Sequence, residues 1–583
     1  MMNLHFDNLS KSYKGKTVLN NISGKINITD KIGLVGANGI GKTTLAEILS
    51  GRKTCDTGKI SRSPANGKIL YIEQYPVFDA NISVYREIFR VAAASHKTVK
   101  DVKTIVTKAL HRVKIDEKKW QQPALTLSGG EKTKLALCRA MVSDFDLLIL
   151  DEPTNHLDIN NYQWLEEFVT SLKQPLLVIS HDRFFLDNAV NQIWELTNQG
   201  LKVYPGNYSA YKVQKEIMKA SITREYNKQQ IKIQHLKQVI NERKNWYRSA
   251  HRSAGQNDFY RSKAKKHAHV IKAKERELAR IEQAKVDKPV KAVSPAFEII
   301  NKNITGKKLP QFLLQGKDLS KCFGDKTVFE HISFNIKRGD KIALIGANGV
   351  GKTTLLKMIC QLDHDYSGNI IINPSVKIGY FAQELDNLPP GSSILDEVLT
   401  QGSTVAEARL LLASLLFKGN DVYKKIALLS MGEKGRVAFA KLILSGANLL
   451  VLDEPTNYMD MLSKERIEAV LAEFTGSILF VSHDRYFIQK LANRVFVIDN
   501  RKLYHYAGDY QYYLAKCKEQ KAKEEVGADY QQLTDTIRQL ECELAFLGGK
   551  LNEALDEEEK VKLNERFLTT AKELNKTKQL LKK

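Results

Sequence analysis

Two stretches of the chain, Gly36–Thr43 (GANGIGKT) and Gly346–Thr353 (GANGVGKT), set four residues between a glycine and a Gly-Lys-Thr triplet. Each follows an apolar, strand-like run and opens a helical one, the context in which backbone N–H groups wrap a phosphate at a helix N-terminus. Gly36, Gly39 and Gly41, like Gly346, Gly349 and Gly351, let the backbone close around the anion, with Asn38, Thr44, Asn348 and Thr354 in the same loops. Lys42 and Lys352 are expected to neutralise terminal phosphates, and Thr43 and Thr353 to ligate Mg²⁺. Two further runs, Leu147–Leu150 and Leu449–Leu452, read as buried strands, each ending in an Asp and a Glu. Asp151 and Asp453 are placed to hold Mg²⁺ through water, and Glu152 and Glu454 to polarise an attacking water. An accidental glycine turn, or a strand capped by solvated acids, explains any one of these stretches. It does not explain their recurrence in register.

The elements that position these residues come from a duplication. LSKSYKGKTVLNNIS from Leu9 is matched by LSKCFGDKTVFEHIS from Leu319, and GLVGANGIGKTTL from Gly33 by ALIGANGVGKTTL from Ala343, both 310 residues further on. LSGGEKTKLALCRA from Leu127 pairs with LSMGEKGRVAFAKL from Leu429, and VISHDRFFL from Val178 with FVSHDRYFI from Phe480. The same unit of roughly 200 residues therefore occurs twice, a size typical of a single domain. The expected fold class is α/β: tandem P-loop domains at 1–212 and 313–514, joined by a helical insert at 213–288 and a connecting segment at 289–312. A helical coiled-coil hairpin at 515–583 follows, from apolar spacing by threes and fours through Leu533, Ile537, Leu540, Leu544, Leu547, Leu551 and Leu555.

Composition narrows the partners. Lys and Arg number 89 against 66 acids, a formal charge of +23, which points to a polyanion. The chain opens without a basic segment leading into an apolar one, and nowhere do 18 apolar residues run together, so export and membrane insertion are not expected. Six scattered cysteines fit a reduced, cytoplasmic setting.

The basic charge is concentrated in the insert. From Arg243 to Lys274 there are ten Lys or Arg against the single acid Asp258. Arg243, Lys244, Arg248, Arg252, Arg261, Lys263, Lys265 and Lys266 lie among Trp246, Tyr247, Phe259 and Tyr260. Cations neutralise phosphates and aromatic faces accept unstacked bases, so the mixture suits folded RNA better than a merely solvated helix face. A helix from about Tyr211 to Arg248 would reach roughly 55 Å. The turn-like SAGQND at Ser253–Asp258 would fold it into an antiparallel hairpin with the basic patch at its tip. The C-terminal segment, with 14 basic and 14 acidic residues from Ala515 onward, carries no such bias.

LSGGE (Leu127–Glu131), LSMGE (Leu429–Glu433) and the histidines after apolar strands, His181 and His483, resemble the signature and switch motifs of ATP-binding-cassette ATPases. The resemblance covers both repeats. It implies that Gln74 and Gln383 are Q-loop glutamines that reach Mg²⁺, that Tyr13 and Phe323 stack on adenine, and that Asp158 and Asp460 are D-loop acids. It further implies head-to-tail closure within one monomer. ATP on Lys42 would then be capped by Ser430 and Gly432, and ATP on Lys352 by Ser128, Gly129 and Gly130. Met431 stands where the usual signature has glycine, and NYMD where the first copy has NHLD, so the two sites need not turn over equally.

DEPTNHLD, SHDRFFLD and YPGNYSAY, with the long insert and no membrane span, resemble the ABC-F family, whose members bind the ribosome. That resemblance implies contacts with large-subunit rRNA and tRNA, through a hairpin entering near the tRNA exit side and the peptidyl-transferase centre. Housekeeping members often carry an extra arm between Q-loop and signature. Gln74 to Leu127 spans little more than Gln383 to Leu429, which is more like the antibiotic-resistance members that displace lincosamide, pleuromutilin or streptogramin A drugs. A housekeeping translation factor, an ATPase clamping DNA, and an ATPase subunit recruited to a transporter are the alternatives.

Overall fold

The computed structural model describes residues 2–95, 99–154, 159–253, 258–284, 297–301, 310–382, 388–399, 403–457, 459–551 and 557–582. It divides into two compact units, Met1–Leu491 with Val497–Leu503, and Ala492–Phe496 with Tyr504–Lys583.

In the first unit each cassette pairs a small antiparallel sheet with a larger parallel one. Strands Asn3–Tyr13 and Lys16–Ile26 form a hairpin around Lys14 and Gly15, both at positive φ, and Thr57–Ser63 adds to its edge. The parallel sheet runs in the order Ile69–Ile72, Leu147–Asp151, Leu176–Ile179, Lys31–Val35, Gln192–Thr197, Gly200–Pro205, with only the last strand antiparallel. The strand Leu147–Asp151 is unbroken in apolar character because both of its faces are buried. Leu147 and Ile149 join one core with Phe6, Leu45 and Trp194, while Leu148 and Leu150 join a second with Ile88 and Leu135.

The second cassette repeats the plan. Phe312–Phe323, Lys326–Lys337 and Ser367–Ile372 make the antiparallel sheet. Ile378–Phe381, Leu449–Asp453, Ser477–Val481 and Lys341–Ile345 pair in parallel in that order. In both cassettes the phosphate-type loop, the Asp-Glu strand end and the histidine strand therefore emerge on the same edge, where ligands of open α/β sheets bind.

The insert forms helices Tyr208–Ser253 and Asp258–Gln283. They pack antiparallel: Gln229 Nε2 donates to Ala284 O at 3.2 Å near one end, and Lys244 pairs with Glu275 at 2.6 Å near the other. The first helix starts three residues earlier than the periodicity implied, where the buried Tyr208 and Tyr204 both pack on Tyr211, and ends five later. The 289–312 segment contributes one described helix, Phe297–Asn301, whose buried Asn301 accepts from Thr475 N at 2.9 Å.

In the second unit, helices Tyr510–Leu551 and Glu557–Lys582 are bridged by Arg566–Glu543 (2.8 Å) and Lys578–Glu541 (2.6 Å), with Ile537 and Leu547 buried between them. Leu555 and the Leu533 side chain lie outside what is described. Among the described residues no helix is long and apolar enough to cross a membrane.

Candidate functional site

Each phosphate-type loop bends at two glycines with left-handed φ, Gly39 (+75°) and Gly41 (+107°) in the first, Gly349 (+79°) and Gly351 (+100°) in the second. The loop lysine folds back on its own turn. Lys42 Nζ donates to Gly36 O (2.9 Å) and Ala37 O (3.1 Å), and Lys352 Nζ to Gly346 O and Ala347 O at 2.9 Å each. Burial lowers the Lys42 pKa, against the opposing pull of Glu152, Asp460 and Asp151.

Thr43 hydrogen-bonds Asp151, and Thr353 hydrogen-bonds Asp453; Tyr71 also donates to Asp151 at 3.2 Å. Burial raises the pKa of both aspartates. One hydroxyl and one carboxylate per site is a donor set of the kind Mg²⁺ accepts, with nucleotide and water oxygens completing the shell. Among the described residues no cluster of three or more His, Cys, Asp or Glu could hold a metal alone.

Glu152 and Glu454 both sit at φ +49°, an uncommon conformation for a side chain of this kind and one that clusters at functional sites. Each approaches the histidine of the next strand. His181 N donates to Glu152 Oε2 at 3.3 Å, with Nε2 3.4 Å from Oε1; His483 and Glu454 repeat this at 3.3 Å and 3.3 Å. Burial, then the Asp151 charge, pushes the Glu152 carboxyl up to about 7. Burial, then Lys42 and Lys464, pushes the His181 imidazole down to about 3. Glu152 Oε1, Glu454 Oε1 and Asp453 Oδ2, with Nδ1 of both histidines, are buried and lack hydrogen-bond partners within the described protein. Such atoms fit a site that takes polar ligand groups.

Most of these groups face one cavity of about 930 Å³, although Gly36, Gly346 and Tyr71 do not line it. Its lining includes Tyr13, Asn38, Gly39, Gly41, Lys42, Thr43, Thr44, Gln74, Asp151, Glu152 and His181 from the first cassette. From the second it takes Phe323, Asn348, Gly349, Gly351, Lys352, Thr353, Thr354, Asp453, Glu454 and His483. Tyr13 and Phe323 are solvent-exposed, as a stacking platform must be. Asp460 reaches across: its Oδ2 accepts from Asn38 N at 3.4 Å.

Other expectations are not brought together here. Ser128, Gly129, Gly130, Ser430 and Gly432 are not among the lining residues. Ser128 and Ser430 instead cap their own helices in reciprocal boxes with Glu131 and Glu433, and Met431 is exposed. Asp158 and Gln383 lie outside the described residues. In the hairpin, Trp246, Arg248 and Lys266 are exposed, whereas Lys244 is engaged by Glu275. That acid lies one position beyond the window counted from the sequence. The side chains of Arg252, Phe259, Tyr260, Arg261, Lys263 and Lys265 lie outside those described.

Sequence reasoning passed over the contacts between cassettes. Arg183 bonds Glu468 and Asp484 of the other repeat, and Arg485 lies 3.8 Å from Glu166 in the mirror arrangement. Both arginines stand in the repeated SHDR, which was the available signal.

A family model described as ABC transporter matches residues 19–155 and 329–457, and a second of the same description matches 194–297. ABC transporter F family member 5 of Arabidopsis thaliana is 32% identical over 89% of this chain and 78% of that protein. The chain belongs to the ABC-F family. This ABC-F chain is also similar to the putative ATP-binding protein YdiF of Bacillus subtilis (34% identical, 89% of the chain, 84% of the relative). The ribosome protection protein VmlR of the same organism is 33% identical over 85% of the chain and 86% of its own length. Among solved structures, the archaeal ribosome recycling factor aABCE1, in complex with stalk protein aP1, superposes with a TM-score of 0.56 at 18% identity. It covers 86% of this chain and 88% of that one, which shows the shared tandem-cassette fold. This ABC-F protein is therefore an ATPase with two cassettes in one chain.

Proposed function

We propose that this ATPase binds the ribosome in the cytoplasm as a monomer and uses nucleotide-driven pairing of its cassettes to place the interdomain hairpin near the tRNA exit side and peptidyl-transferase centre. There it displaces drugs of the lincosamide, pleuromutilin or streptogramin A type. The observation that carries this reading is the identity to a ribosome protection protein across 85% of the chain. The chain's own charge pattern agrees, since the hairpin exposes Trp246 beside Arg248 and Lys266, a surface suited to rRNA and tRNA.

In this reading Gly36–Thr44 and Gly346–Thr354 cradle the phosphates of two ATP molecules, and Tyr13 and Phe323 stack on the bases. Mg²⁺, held by Thr43 and Asp151 or by Thr353 and Asp453, with Gln74 lining the first site and Gln383 expected as its counterpart, would offset phosphate charge when bound. Glu152 and Glu454 orient the attacking water, and the depressed pKa of His181 leaves its imidazole neutral to assist. Ser128, Gly130, Ser430 and Gly432 approach the nucleotides only on further closure.

A short relay supports coupling of closure to the hairpin. Ser209, on the first turn of the hairpin helix, donates its N–H (2.6 Å) and hydroxyl (2.7 Å) to Asp187 of the first cassette. Tyr486 of the second cassette donates to the same carboxylate. A change in how the cassettes meet thus bears on the root of the helix.

Stimulation of ATP turnover by purified ribosomes tests the reading; absence of stimulation counts against it. A second reading, a general translation factor, rests on comparable identity to ABC-F relatives whose names carry no protection role. Expression that raises tolerance to one of the three drug classes selects resistance, and unchanged tolerance to all three selects the second reading.

A further inference from the structure

Among the cavity-lining positions at which the two repeats differ, one sets a cation against an aromatic ring. Lys464, four residues after Asp460, stands where the first repeat has Tyr162, four residues after Asp158. Both line the same cavity. Lys464 crosses to the first cassette, where its Nζ donates to the carbonyl of His181 at 3.4 Å and lies 3.4 Å from Asp484 Oδ2. Tyr162 is turned inward: it is buried, close to Asp182, and stacked under the Arg485 guanidinium at 4.9 Å.

We propose that Lys464 is a phosphate-positioning residue supplied in trans to the first ATP site, which makes that site hold its nucleotide longer than the second. An ammonium has three N–H donors. Two are directed at His181 O and Asp484 at the long end of hydrogen-bond range, and the third remains for a group in the cavity. The carbonyl it contacts belongs to the residue whose ring meets Glu152, so Lys464 stands on the side where the terminal phosphate on Lys42 would lie. A mobile, compact charge suits that task. Tyr162, a neutral phenol packed against Arg485, cannot offer the second site an equivalent cation. The difference is independent of Met431 and the D-loop, which also distinguish the sites. The inference rests on the assignment of Lys42 to the first ATP site.

The test uses the full chain as Glu152→Gln/Glu454→Gln, to prevent hydrolysis, and follows release of radiolabelled ATP into excess unlabelled ATP. Two phases of similar amplitude are expected, with Lys42→Ala removing the slow one. Lys464→Met should speed the slow phase about ten-fold or more, the scale of one charge-assisted contact, and leave the fast phase unchanged. Lys464→Arg should restore it, and Tyr162→Lys should slow the fast phase. A single phase in the parent, an unchanged slow phase in Lys464→Met, or equal acceleration of both phases overturns the proposal while leaving the ATP sites standing. If Lys42→Ala removes neither phase, the site assignment itself fails and the proposal with it.

Discussion

Arg183 and Glu468, 285 positions apart, form a two-pronged ion pair across the cassettes in which both side chains are at most 4% exposed. Asp484 lies 3.4 Å from the same guanidinium and Tyr486 stacks over it. Paired charges this deep are costly to separate even when they add little to net stability. Truncating one partner should therefore cost more than replacing both. Arg183→Met or Glu468→Ala alone is expected to destabilise the paired cassettes by about 3–5 kcal/mol, and Arg183→Met/Glu468→Leu by less than the sum of its parts. A double-mutant cycle on denaturant unfolding measures this, and strict additivity would remove the pair from the account.

Asp484 gives the contact a pH dependence. Burial opposes its ionisation, but Lys464 and Arg183 more than offset that and hold its carboxyl below the usual range. A depressed folded-state pKa contributes stability above the unfolded value of about 3.9 and loses it as pH falls through the folded value. Thermal midpoints measured from pH 7 to pH 3 should therefore fall more steeply for the parent than for Asp484→Asn. Parallel curves would contradict the assignment.

Gly351 is the most constrained residue of the second phosphate-type loop. Its φ is +100°, and a Cβ there would lie 2.2 Å from Val328 Cγ1. Gly349 is also at positive φ but has open space around it. Gly351→Ala should abolish ATP binding at the second site and destabilise by about 1–3 kcal/mol, and Gly349→Ala should do so more mildly. Equal effects, read by equilibrium binding and melting, would mean that the Val328 contact does not matter.

Removing Mg²⁺ with a chelator should stop turnover while leaving the fold intact, because apolar cores on both faces of the parallel sheet, and not the Thr-Asp pairs at its edge, hold the first cassette together. Circular dichroism and phosphate release before and after chelation decide this. Loss of structure would assign the ion a folding role instead.

What could be read from the residues was whatever chemistry fixes locally. The phosphate-type loops and the Asp-Glu strand ends were legible because glycine torsions and a doubly buried strand leave few alternative sequences. The hairpin was legible because a stretch with almost no glycine or proline, rich in helix formers with apolar residues at helical spacing, favours helix. Contacts made between the repeats were not. Arg183 was visible only as a letter shared with Arg485, and Lys464 only as a mismatch with Tyr162; nothing in one dimension says which carboxylate or carbonyl each meets. Nor did a count limited to the basic run show that Glu275 and Glu277, just past it, pair with Lys244 and Lys274. The capping of nucleotide by Ser430 and Ser128 was inferred from family geometry, and here both serines cap their own helices.

ATP, held and not hydrolysed, is expected to commit this protein to the ribosome. Co-sedimentation of the Glu152→Gln/Glu454→Gln variant with ribosomes measures it most directly. The account predicts near-stoichiometric pelleting in ATP and little in ADP; a variant that stays in the supernatant with either nucleotide would contradict it.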